Sequence, residues 1–143
     1  MSVYQTRFSV DCHWAVGYSI SGKGYVGTGR YWDGGSAINY RDFWEYDPSS
    51  NTWTQKADLT GSDRWLAVAF PIGTRGYVGT GISSAPLGDF WEYDPQTDGW
   101  TSKATFGGTA RYSAVGFSIG NEGYVGTGID VLGRRRDFWR YRP

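Results

Sequence analysis

Apolar and polar positions in this chain come in short runs, and the runs fall into sets of four. The first run of a set is Cys12-His-Trp-Ala-Val-Gly-Tyr18, Arg64-Trp-Leu-Ala-Val-Ala-Phe70 or Arg111-Tyr-Ser-Ala-Val-Gly-Phe117. A glycine turn follows, as Ser21-Gly-Lys-Gly24, Gly73-Thr-Arg-Gly76 or Gly120-Asn-Glu-Gly123. Glycine supplies the positive φ that such turns require. The second run is Tyr-Val-Gly-Thr-Gly. The third is Asp-Phe-Trp-Glu-Tyr, with Arg in place of Glu in the last copy. An Asp-Pro turn leads to the fourth run, Trp53-Thr-Gln-Lys56 or Trp100-Thr-Ser-Lys103. Runs this short, joined by tight turns, predict antiparallel four-stranded sheets.

The sets are copies of one unit. The first glycine of Gly-Tyr-Val-Gly-Thr-Gly recurs at 24, 76 and 123, in steps of 52 and 47. The aspartate of the third run recurs at 42, 89 and 137, in steps of 47 and 48. The mismatch lies between these two phrases, in residues 30–41, 82–88 and 129–136. A segment that changes length while its flanks keep register is predicted to be a loop. The period and the four strands per unit predict an all-β chain of three propeller blades. Residues 12–57 make the first blade, 64–104 the second and 111–143 the third.

These residues resemble the kelch repeat. Arg64 and Arg111 match the arginine that opens the family's first strand, and Tyr46 with Trp53 and Tyr93 with Trp100 match its spaced aromatic pair. Thr28, Thr80 and Thr127 stand where the family has the first of two glycines. The resemblance implies the fold more than any activity, because kelch domains serve as enzymes, adaptors and lectin-like modules. Some relatives are copper oxidases built on two histidines and two tyrosines. One histidine per chain, His13, does not supply that set, and no metal or other cofactor is expected. Other bacterial relatives are sialic-acid mutarotases, which makes a carbohydrate-active enzyme or a carbohydrate-binding propeller the alternative reading.

The register at the ends predicts self-assembly. Trp53 precedes Arg64 by 11 and Trp100 precedes Arg111 by 11, and Met1 stands 11 before Cys12. Residues 1–7 therefore take the place of a fourth strand, while the third copy stops at Pro143, before its own. Residues 1–11 are expected to complete a last blade, that of a partner chain. Two chains joined head to tail then close a six-bladed homodimeric ring by strand exchange. The same register also suits a piece excised or engineered from a larger propeller.

Composition narrows the function. The 14 Lys+Arg balance 14 Asp+Glu, which speaks against a basic nucleic-acid surface. The longest apolar stretch, Trp65–Phe70, is too short to span a membrane. The opening Met1-Ser-Val-Tyr-Gln lacks the features of a signal peptide. Five of the eight tryptophans (Trp44, Trp53, Trp91, Trp100 and Trp139) recur at repeat positions and are expected to fill the seams between blades. Gly27-Thr-Gly29 ends a strand with no helix after it, so it is no phosphate cradle. No nucleophile with a partnered base is readable. The expectation is a non-catalytic interaction or scaffold module that takes a small carbohydrate or peptide at the channel mouth. The residues expected there are His13, Trp32, Asp33, Arg64, Trp65, Arg111 and Tyr112. The arginines would meet an anion and the aromatics would stack on the ligand. The run Arg134-Arg-Arg136 is read as a solvated loop.

Overall fold

A computed structural model describes residues 11–143, and the expected strand of residues 1–7 lies outside the described residues. The first sheet is β1 (Val16–Ile20), β2 (Lys23–Trp32), β3 (Ala37–Asp47) and β4 (Thr52–Lys56), paired in that order. The second repeats it with β5 (Val68–Ile72), β6 (Arg75–Gly79), β7 (Phe90–Asp94) and β8 (Gly99–Lys103). The third contains β9 (Val115–Ile119), β10 (Glu122–Gly126) and β13 (Phe138–Tyr141), with a small hairpin, β11 (Ile129–Asp130) and β12 (Gly133–Arg134), inserted before β13. All pairings are antiparallel. The chain is all-β, built of propeller-type blades.

The Gly-Thr-Gly phrase is a bulge. The register of β2 with β3 shifts between Gly27 and Gly29. Thr28, Thr80 and Thr127 take φ of 57°, 57° and 60°, the left-handed region that glycine enters freely and threonine rarely. Surrounding bonds hold them there. Thr80 and Thr127 donate their backbone N–H to the carbonyls of Asp89 and Asp137 at 3.2 and 3.0 Å. The next glycine reaches across to the following blade: Gly29 N–H donates to Arg64 and Gly81 N–H to Arg111, both at 2.8 Å.

The variable segment of the first copy differs from the expected loop. After the bulge, β2 and β3 resume pairing as Arg30↔Asn39, Tyr31↔Ile38 and Trp32↔Ala37. Asp33 turns the chain by accepting from Gly35 N–H at 2.9 Å and Ser36 N–H at 2.7 Å. Bulky residues on both arms and a turn of small residues make this insertion a hairpin extension. The third copy does the same with β11 and β12.

The first and second blades each bury an apolar face against the next. On β1, Val16, Tyr18 and Ile20 are buried and alternate with exposed Gly17 and Ser19. They join Tyr25 and Phe43 to pack on Val78 and Tyr93 of the second blade, with Trp100 edge-on to Phe43 at 4.8 Å. One blade on, Val68, Phe70, Tyr77 and Phe90 pack on Val125 and Tyr141, and Phe90 stacks on Tyr141 at 4.4 Å. Two glycines make room. A Cβ on Gly76 would sit 2.3 Å from the Tyr18 ring, and one on Gly123 would sit 2.3 Å from the Phe70 ring.

A buried arginine ties each of the last two blades together. The Arg64 guanidinium donates to both carboxylate oxygens of Asp89, at 2.9 and 2.8 Å, and to the carbonyl of Thr80 at 3.1 Å. Arg111 repeats this with Asp137, at 2.6 and 2.9 Å, and with Thr127 at 3.0 Å. The Trp91 and Trp139 indoles donate to the same carboxylates, at 2.6 and 2.7 Å. In the first blade Cys12 stands in the arginine's place, and Asp42 accepts from the Trp44 indole at 2.7 Å.

Gly76→Ala and Gly123→Ala should each cost about 1–3 kcal/mol in denaturant unfolding, because a ring must be displaced from a packed seam. Arg64→Met leaves Asp89 without its partner and should cost about 3 kcal/mol. Burial opposes ionisation of Asp89, but Arg64 and Trp91 outweigh it and hold the carboxyl below its usual range. Arg111, then Trp139, lower Asp137 likewise. With folded pKa values depressed, this stability is complete above the unfolded carboxyl range and is lost as pH falls through the folded values. Melting temperature should therefore fall on acidification below about pH 4, and Asp89→Asn should flatten that limb.

Candidate functional site

The inner strands are entered through a kink. Trp14, Leu66 and Ser113 occupy the same repeat position with φ of 58°, 53° and 55°. The residue before each forms an isolated bridge to the strand leaving the bulge: His13 with Arg30, Trp65 with Ile82 and Tyr112 with Ile129. The kink breaks the alternation of sides, so the large side chains of this segment gather at the rim of the first two blades.

There they form an aromatic cleft of about 450 Å³ lined by His13, Trp14, Arg30, Trp32 and Trp65. Trp14 and Trp65 meet with ring centroids 5.0 Å apart, and His13 lies 5.6 Å from Trp14. The Arg30 guanidinium lies between two indoles, 4.9 Å from Trp65 and 5.6 Å from Trp32. Trp14 and Trp32 are each 52% exposed, so the cleft opens to solvent. Two of the lining residues carry a buried donor with no acceptor among the described residues, Arg30 Nε and Trp65 Nε1.

Of the residues expected at the mouth, the structure brings His13, Trp32 and Trp65 together. Arg64 and Arg111 stand apart, fully buried with their guanidinium groups committed inside their own blades. Asp33 caps its own turn, and the Ser36 and Gly35 amides lower its pKa. Tyr112 sits one blade further on, bridged to Ile129. Sequence reasoning left out Trp14 and Arg30. Arg30 carries a readable signal, since its counterparts are Ile82 and Ile129 and a lone charge replaces an apolar residue.

A second groove of about 790 Å³ lies between Gly107–Thr109 and the run Arg134–Arg136. The run is only partly solvated. Arg135 pairs with Asp130, whose carboxyl is held down to about 2 by Arg135 and the Thr109 hydroxyl.

No family model matches the chain, and no curated protein matches it. Among solved structures, that of YjhT aligns with a TM-score of 0.72 at 20% identity, covering 85% of this chain and 36% of YjhT. The chain thus spans about a third of the length of YjhT. The likeness shows a shared fold, the all-β blade architecture described above.

Proposed function

We propose that the chain is a kelch-type propeller module without catalysis of its own, which completes its ring with a second copy and presents a binding mouth. One observation carries the reading. Val115, Phe117, Ile119 and Phe138 of the third blade are 40–63% exposed, whereas Val16, Tyr18, Ile20 and Phe43 at the same repeat positions are 0–9% exposed. An apolar sheet face of this kind is an association surface.

The repeat states what should cover it. Tyr18 rests on Gly76 and Phe70 on Gly123, so Phe117 should rest on Gly24 of a second copy. Among the described residues, a Cβ on Gly24 meets nothing nearer than the Tyr46 Cβ at 3.7 Å. Val68 packs on Gly116, so Val115 should pack on Gly17 of that copy. Gly128 N–H should donate to the Cys12 carbonyl, continuing the series Gly29 to Arg64 and Gly81 to Arg111. Among the described residues β13 has no strand on its outer edge, and residues 1–7 of the copy are proposed to add there. Two chains of three blades give a six-bladed ring.

A carbohydrate-active enzyme on the same frame is the second reading, favoured by the imidazole in the aromatic cleft. Among the described residues the cleft lining holds His13 but no carboxylate to pair with it as acid and base. That absence among the lining residues favours binding.

Light scattering should give a mass near twice 15.9 kDa at micromolar concentration. Gly24→Ala should leave the unfolding of a single chain within about 1 kcal/mol of the parent and should halve the mass. A parent that stays monomeric, or a Gly24→Ala variant as associated as the parent, contradicts the proposal.

A further inference from the structure

We propose that the cleft of Trp14, Arg30, Trp32 and Trp65 binds a small organic anion that carries a flat or ring-shaped apolar face. The site lies within one chain and does not depend on ring assembly.

The cleft is not a product of blade packing. Trp14 is replaced by Leu66 and Ser113 in the other blades, and Arg30 by Ile82 and Ile129. The fold therefore closes its seams without them. Half-exposed indoles that no seam requires are surfaces on which a ring can stack.

Arg30 sets the charge of the ligand. Among the described residues it forms no ion pair, while its neighbours in sequence and space offer no carboxylate: Asp33 is held by its own turn and none lines the cleft. Its guanidinium carbon lies 4.9 Å from the Trp65 ring centroid and 5.6 Å from that of Trp32, so both indoles hold the cation at the cleft. Among the described residues, Arg30 Nε and Trp65 Nε1 are buried donors with no acceptor. A buried donor left unpaired is costly, and a carboxylate supplies two acceptors and the missing negative charge. The cleft volume of about 450 Å³ suits a small molecule, and its walls are mostly aromatic.

The test uses the full chain and tryptophan fluorescence, checked by calorimetry. D-Glucuronate and benzoate are the anionic probes, with glucose and benzyl alcohol as their neutral counterparts. At least one anion should give a saturable signal and bind about tenfold or more tightly than its neutral counterpart. Binding of glucuronate alone identifies an acidic sugar as the source, and binding of benzoate alone an aromatic acid. Arg30→Gln should weaken binding about tenfold, Trp32→Ala should weaken it as well, and Arg75→Lys, at the start of β6, should leave it unchanged. The proposal is overturned if neither anion binds saturably, if the neutral compounds bind equally well, or if Arg30→Gln binds like the parent. Solution mass on the same samples reports self-association separately, so the two proposals fail independently.

Discussion

A propeller blade cannot bury its own apolar face. β1 turns Val16, Tyr18 and Ile20 toward the second blade, and β5 turns Val68 and Phe70 toward the third. Each fully buried side chain of this kind stabilises by about 1.5–3 kcal/mol, so the seams hold much of the folding energy. Their geometry leaves little slack, because an aromatic ring occupies the space over a glycine at Gly76 and Gly123. At the positions that β1 buries, β9 leaves Val115, Phe117 and Ile119 exposed.

The seams also determine which residues are available for function. The arginines that open the second and third blades are drawn inside, where carboxylate and carbonyl oxygens accept from them. Among the described residues the first blade has no such clamp, since Cys12 replaces the arginine. At this rim the repeat departs furthest from itself, through Trp14, Arg30 and the hairpin ending at Trp32. Regular positions serve packing and irregular ones form the cleft.

The blades were legible in the sequence because spacing is a direct image of strand and turn. The strand-ending glycines, the Asp-Phe-Trp phrase and the paired aromatics all fell where the sheets place them. Side-chain partners were less legible. Nothing in the run opening at Arg64 shows that Asp89, 25 residues away, will enclose its guanidinium. The hairpin of residues 30–41 was hidden because a length difference marks an insertion without saying whether it pairs. Trp32 was legible as an aromatic outside the repeat. Trp14 and Arg30 join it through a kink at φ 58° and a resumed register, and neither can be read from residue types.

Hydrogen exchange along β9 and β13 probes the central claim most directly, followed from low to high protein concentration. If the outer face of the third blade is a seam awaiting a blade of the same kind, amides of Phe138–Tyr141 should gain protection as concentration rises, toward that of β7. Fast exchange there at every concentration, with β5 to β7 protected throughout, would contradict the account.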